Sequence, residues 1–209
     1  MRETEISGGV MARPVFKTVL LFGPPGAGKG TWGGIMGRVP GFLHFASGDM
    51  FRSLSPDSDL GKMTLESIRK GELVPDEQAL ALWRDQMQNL VTVGKFNPDV
   101  HTLILDGVPR TPAQAREVDN DLDIRLILFL DSPDRDLLVK RLYGRALIEH
   151  RVDDANEEII RRRFHVYDDQ TNATLEHYSK DLIHTIDVSQ SPQKILLDLC
   201  QLMHDRLDD

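Results

Sequence analysis

Apolar residues along this chain fall into two rhythms. Four short runs, Thr18–Phe22, Leu103–Leu105, Leu126–Leu130 and Ile183–Ile186, are almost continuous and too short for helices. The first two run straight into a glycine or an Asp-Gly pair, and all four predict buried parallel strands. Between them, Glu77–Val91, Asp134–Tyr143 and Pro192–Met203 space their apolar positions as helices do. Ser132-Pro133 predicts the start of the second helix, with serine as the N-cap and proline at the first helical position. Strands alternating with helices predict an α/β fold, a parallel sheet covered on both faces. No repeat, low-complexity run or linker divides the chain. One core over residues 15–209 is expected, behind a loose polar tail over residues 1–14.

Composition narrows the function classes. The 209 residues are 40% hydrophobic, enough for one good-sized core. A formal net charge of -8 argues against a nucleic-acid partner, which calls for a basic patch or stripe. It leaves room for a phosphate ligand, because binding follows local charge rather than the total. No stretch approaches the roughly 18 apolar residues of a membrane helix, so no membrane partner is expected. Cys200 is the single cysteine and cannot pair within the chain. Its neighbours Leu196, Leu197, Leu199 and Leu202 predict a buried thiol in a reducing, cytoplasmic compartment.

The strongest chemical signal is Gly23-Pro24-Pro25-Gly26-Ala27-Gly28-Lys29-Gly30-Thr31, directly after the first strand. Glycines let a backbone turn tightly and converge its N–H groups on phosphate oxygens. The helix that should follow adds its N-terminal donors and positive dipole end. Lys29 adds a point charge for the transferring phosphates, and a hydroxyl follows at Thr31. Ser47-Gly48-Asp49-Met50-Phe51-Arg52 supplies a hydroxyl, a glycine and an arginine at close spacing, and Arg110 beyond the strand ending at Leu105 supplies a second cation that could meet a phosphate. Arginine suits that task because its fixed fork of donors grips phosphate in two places. Between Arg141 and Arg163 lie six arginines (141, 145, 151, 161, 162 and 163) and no lysine, the local positive charge that an acidic protein needs for polyphosphates.

These motifs, with Gly71–Glu77, Leu103–Ala115, Arg141–Asp154 and Ile186–Pro192, resemble in order and spacing those of the adenylate kinase family of nucleoside monophosphate kinases. The resemblance covers the chain from Thr18 onward. It implies a P-loop three-layer α/β/α fold with an inserted monophosphate-binding segment at 46–75 and a short lid at 142–152. It also implies reversible phosphoryl transfer from Mg-ATP to AMP by a monomer. ATP would be held by Gly26, Ala27, Gly28, Lys29, Gly30, Thr31, Arg141, Arg145 and Gln190. AMP would be held by Ser47, Arg52, Glu72, Leu73, Val74, Gly107, Val108, Pro109, Arg110, Gln114, Arg151 and Arg163. The catalytic set would be Lys29, Arg110, Arg145, Arg151 and Arg163. Ser47, Thr111 and Gln114 favour AMP over UMP or CMP. A UMP/CMP or broad-specificity nucleoside monophosphate kinase, a hydrolysing P-loop ATPase or switch and a silent nucleotide-binding module are the alternatives.

Neighbouring helical residues point about 100° apart, so Arg161, Arg162 and Arg163 cannot all face one site. Arg163 fits the family spacing, with Arg162 as the alternative because Ala155 reads as an insertion. Magnesium would arrive with ATP, held through water by Asp106 or Asp49. One cysteine cannot supply a four-thiolate zinc site, so zinc is excluded on ligand count. Several residues depart from the family pattern: Trp32, Val108, Ala146, Glu149-His150 and Gln190.

Overall fold

The computed structural model describes residues 14–149, 151, 154 and 156–207. The expected tail, Pro14 apart, lies outside the described residues, as do His150, Val152, Asp153 and Ala155. Five strands form one sheet: β1 (Phe16–Phe22), β2 (Phe42–Ala46), β3 (Thr102–Asp106), β4 (Leu122–Asp131) and β5 (Ile183–Asp187). All neighbours are parallel, in the order β2-β3-β1-β4-β5. The helices are α1 (Lys29–Met36), α2 (Ser47–Arg52), α3 (Asp59–Lys70), α4 (Asp76–Thr92), α5 (Pro112–Val118), α6 (Arg135–Glu149), α7 (Glu157–Val166), α8 (Asn172–Leu175) and α9 (Pro192–Leu207). A π-helical turn, Tyr167–Thr171, joins α7 to α8.

Strand residues alternate between the two faces, so a strand buried on both reads as one apolar run. Leu20 and Phe22 of β1, with Leu103, Leu105 and Ile127, pack with Leu80, Trp83 and Met87 of α4. Val19 and Leu21, with Ile104, Leu126 and Leu128, pack with Met36, Leu138, Ile195 and Leu199 of the opposite layer. Each such side chain contributes about 1.5–3 kcal/mol on burial. The three-layer α/β/α architecture follows.

Four expectations need correction, the first being the burial of Ile183–Ile186: on the edge strand β5 only Ile186 of that run is buried. The strand β2 has no counterpart in the pattern reading: every one of its residues is only half-buried, and its sequence includes His44. It sits at the sheet edge beside β3, where one side is uncovered and the apolar signal is weakest. The helix α6 begins at Arg135, and its cap is Asp134, whose Oδ1 accepts from Leu137 N at 3.0 Å. Ser132 Oγ instead accepts from Asp134 N at 3.1 Å and shapes the entry. Cys200 is exposed. The helix α9 buries Ile195, Leu199, Met203 and Leu207, a stripe spaced by four, and Cys200 lies one step, about 100°, round from Leu199. Leu196 and Leu197 are themselves outside, 37% and 61% exposed.

Register sets up the site. Leu21 lies opposite Asp106, so the carboxyl ends of β1 and β3 are adjacent. The loops at residues 23–28 and 107–110 therefore emerge side by side, at the edge where open α/β sheets bind ligands.

Candidate active site

The loop after β1 is shaped by what cannot fit. Gly23 has φ 147° and passes so close to β4 that a Cβ would stand 2.2 Å from the Leu130 carbonyl oxygen. Gly28 adopts the left-handed conformation, φ 88°, and caps α1 without a side-chain acceptor. The first N–H groups of α1 thus open into the loop, with the positive end of the helix behind them. Lys29 Nζ donates to the Gly23 carbonyl at 2.5 Å and to the Pro24 carbonyl at 3.2 Å. Burial lowers its ammonium to about 8; Asp106 opposes that shift, and Arg110, Arg163 and Arg145 add to it.

That value predicts proton uptake. Above pH about 8 the free protein carries Lys29 largely neutral, and an anionic phosphate beside it raises the pKa again. Triphosphate binding should therefore take up a proton at pH about 9 and none near pH 7. Calorimetry in buffers of different ionisation enthalpy measures this directly. Buffer-independent heats at both pH values would contradict it.

Facing the loop, the segment after β3 is locked by backbone acceptors. Ser47 Oγ donates to the Gly107 carbonyl at 2.9 Å, and Arg110 Nε to the same oxygen at 3.0 Å. Gln114 is 2% exposed; its Oε1 accepts from Arg110 N at 2.7 Å and its Nε2 donates to Asp76 Oδ1 at 2.8 Å. Thr111 caps α5 and donates to Asp76 Oδ2 at 2.7 Å. Val108 points the other way, 2% exposed, into the core under α4.

A cleft of about 1060 Å³, open mouth included, joins the two halves. Its walls bring together Gly23, Lys29, Arg52, Glu72, Leu73, Val74, Gly107, Pro109, Arg110, Gln114 and Arg163. Phe51, Ile68, Val166, Tyr167 and Thr171 also line it, the last two from the π-helical turn, which the sequence pattern does not predict. Single π turns widen a helix locally and recur at functional sites.

The arginines sort themselves by partner. Arg163 lines the cleft and pairs with Asp154. Arg145 pairs with the other oxygen of Asp154 at 2.6 Å. Arg162 pairs with Glu72, and Arg161 with Glu157 at 2.6 Å on the exposed face. Asp49 Oδ1 meets Arg52 at 2.6 Å and Arg151 at 3.8 Å. Arg141 Nη2 donates to the Val188 carbonyl at 2.8 Å, and Gln190 Nε2 to the Asp187 carbonyl at 3.0 Å, both away from the cleft walls. Gly30 and Thr31 lie exposed on the first turn of α1. The sequence reading missed two carboxylates that organise the site. Asp154, 0% exposed, holds two arginines, and Asp76 holds Gln114 and Thr111. Both stand inside the quoted motifs, but nothing in spacing alone tells an organising acid from a surface one.

Comparison with known proteins supplies the family. The family model described as adenylate kinase matches residues 21–183. An adenylate kinase of Rhodopirellula baltica is 34% identical over 193 residues, 89% of this chain and 94% of that protein. One of Thermobifida fusca is 38% identical over 175 residues, 81% of this chain and 88% of that protein. One of Flavobacterium johnsoniae is 37% identical over 169 residues, covering 78% and 84%. The loop after β1 and the segment after β3 meet in one cleft, and the matched residues run through both. The chain belongs to the adenylate kinase family and is a nucleoside monophosphate phosphotransferase.

Proposed function

We propose that the protein transfers a phosphoryl group reversibly from Mg-ATP to AMP, giving two ADP. One observation carries the reading: Lys29 of the phosphate loop and Arg52, Arg110 and Arg163 of the opposite half share a single cleft. An enzyme that used water as acceptor would need the first set and not the second. An oxygen of the AMP phosphate attacks the γ-phosphorus, and the bond to the β-phosphate oxygen breaks as ADP leaves. No proton is gained or lost overall, so positioning and charge neutralisation do the work. Lys29 neutralises the donor phosphates, Arg52 and Arg110 hold the AMP phosphate, and Arg145, Arg151 and Arg163 spread positive charge over the phosphoryl group in flight.

Magnesium fits beside this set. Asp106 is 9% exposed, and its carboxylate accepts no hydrogen bond among the described residues. An inward carboxylate at the end of β3 beside Lys29 matches an ion that keeps its waters and binds through one acid plus phosphate oxygens. The ion, when bound, neutralises charge on the transferring phosphates. Asp49 fits less well, being already engaged by Arg52 and Arg151.

Gln114 supports adenine as the acceptor base. After bonding Arg110 N and Asp76, its amide keeps one lone pair and one N–H, a matched pair for the amino group and ring nitrogen of adenine. Cytosine offers the same pair on a smaller ring, which makes CMP the informative competitor. With AMP, CMP, UMP, GMP and water as acceptors, ADP formation should favour AMP. A preference for CMP or UMP would move the acceptor and keep the mechanism; hydrolysis without transfer would end the kinase reading.

Residues 46–75 and 142–152 act as the two closing segments, and we take the protein to work as a cytoplasmic monomer. Closure keeps water from the phosphoryl group. The pairs Asp49–Arg151 and Glu72–Arg162 support this, since each ties the acceptor segment to the arginine-rich stretch. Among the described residues, no helix is long and apolar enough to cross a membrane. Spin labels at Leu147, 81% exposed, and Asp57 should draw together when a bisubstrate analogue binds. An unchanged distance distribution would rule out closure of these segments.

A further inference from the structure

Trp32 stands on α1 one turn beyond Gly28, at 8% exposure. The indole belongs to the core cluster that includes Ala27, Met36 and Leu21. Its pyrrole edge lies against the phosphate loop. A Cβ on Gly28 would come within 3.3 Å of Trp32 Cδ1 and 3.4 Å of Nε1. The edge that carries the indole N–H is therefore pressed to the left-handed residue that caps α1, where backbone donors open toward phosphate.

That N–H is the second observation. Among the described residues Trp32 Nε1 has no hydrogen-bond partner, and it is not enclosed as Trp83 Nε1 is. Trp83 is 0% exposed, with its N–H sealed in the core. Trp32 is more than nine-tenths buried, yet its one polar atom reaches the surface beside the loop. Buried tryptophan normally satisfies its N–H. The acceptor that this loop is built to receive is a phosphate oxygen.

We propose that the indole N–H of Trp32 donates to a phosphate oxygen of the nucleotide seated in the Gly23–Thr31 loop, making Trp32 a further binding residue for the phosphoryl donor. The inference rests on the reading of that loop as the donor site and is independent of which base the acceptor carries. The bond adds one neutral side-chain donor beside the backbone N–H groups of the loop and Lys29. Its rigid ring is already held by the core, so little conformational freedom is lost on binding.

The test uses the full chain. In protein labelled with nitrogen-15 at tryptophan, two indole N–H resonances are expected, and Trp32 is the one exchanging faster with water. Titration with inorganic tripolyphosphate should move the Trp32 resonance and leave that of Trp83 in place. Trp32→Phe keeps a ring and removes the donor; it should raise KM for Mg-ATP about tenfold and leave KM for AMP within twofold. Trp32→Gln restores a side-chain N–H and should recover part of the loss. A still Trp32 resonance overturns the proposal, as does an equal rise in both KM values, the mark of a merely structural role. Because tripolyphosphate needs no acceptor, the resonance reports on the loop even if the wild-type protein makes no ADP from AMP, the result that would sink the kinase reading instead.

Discussion

Arg110→Ala is expected to lower kcat/KM for ADP formation by about 10³-fold or more, within the range of about 10³–10⁵ for one charge-placing arginine in phosphoryl transfer. The size follows from its position. Arg110 lines the cleft, its Nε is fixed on the Gly107 carbonyl at 3.0 Å, and its own N–H is fixed on Gln114. A guanidinium held this way is preorganised, so on the proposed reading its charge would act on the transferring phosphates without reordering. Its field also reaches Lys29, whose ammonium it helps to lower. Arg162→Ala is the control: that side chain is 52% exposed and turned out to Glu72, so its loss should change turnover only a few-fold. Steady-state kinetics over both substrates decides the matter. If the two variants were equally active, Arg110 would not be holding a reacting phosphate.

Why Arg110 could be named from sequence and Asp154 could not is a question of range. The strands β1, β3 and β4 are buried on both faces, and double burial prints itself as a continuous apolar run. The loop at residues 23–31 is equally legible, because a backbone that approaches Leu130 within contact distance admits glycine alone. Arg110 inherits that clarity by following a legible strand and a glycine. The strand β2 lacks it, since an edge strand with five half-buried residues has neither the run nor the alternation. The cap of α6 lies two residues beyond Ser132, because serine and aspartate are both good caps and the choice between them is made by the turn geometry. Arg161, Arg162 and Arg163 show the same limit. Helical spacing says that they diverge, but their separate partners, Glu157, Glu72 and Asp154, are supplied by tertiary structure.

Asp154 is where that hidden information has its largest consequence. It is 0% exposed and accepts from Arg145 Nε at 2.6 Å while its second oxygen meets Arg163. Removing it takes away the buried carboxylate that both guanidinium groups share, in a site already made positive by Lys29 and Arg110. Breaking a buried pair from one side costs about 3–5 kcal/mol. The arginine side chains here keep 29% and 22% of their exposure, so solvent relieves part of the cost and about 3 kcal/mol is expected for Asp154→Ala. The same variant should lose turnover, since Arg163 would no longer be aimed into the cleft. Tripolyphosphate provides the discriminating measurement. An anion in the cleft replaces the missing counter-charge, so urea denaturation should show the gap between variant and wild type narrowing as tripolyphosphate is added. Asp154→Asn keeps the shape and removes the charge, and it should behave like the alanine variant if charge is what matters. A gap that tripolyphosphate leaves unchanged would mean that Asp154 acts through packing, and that the two arginines do not need it to stay together.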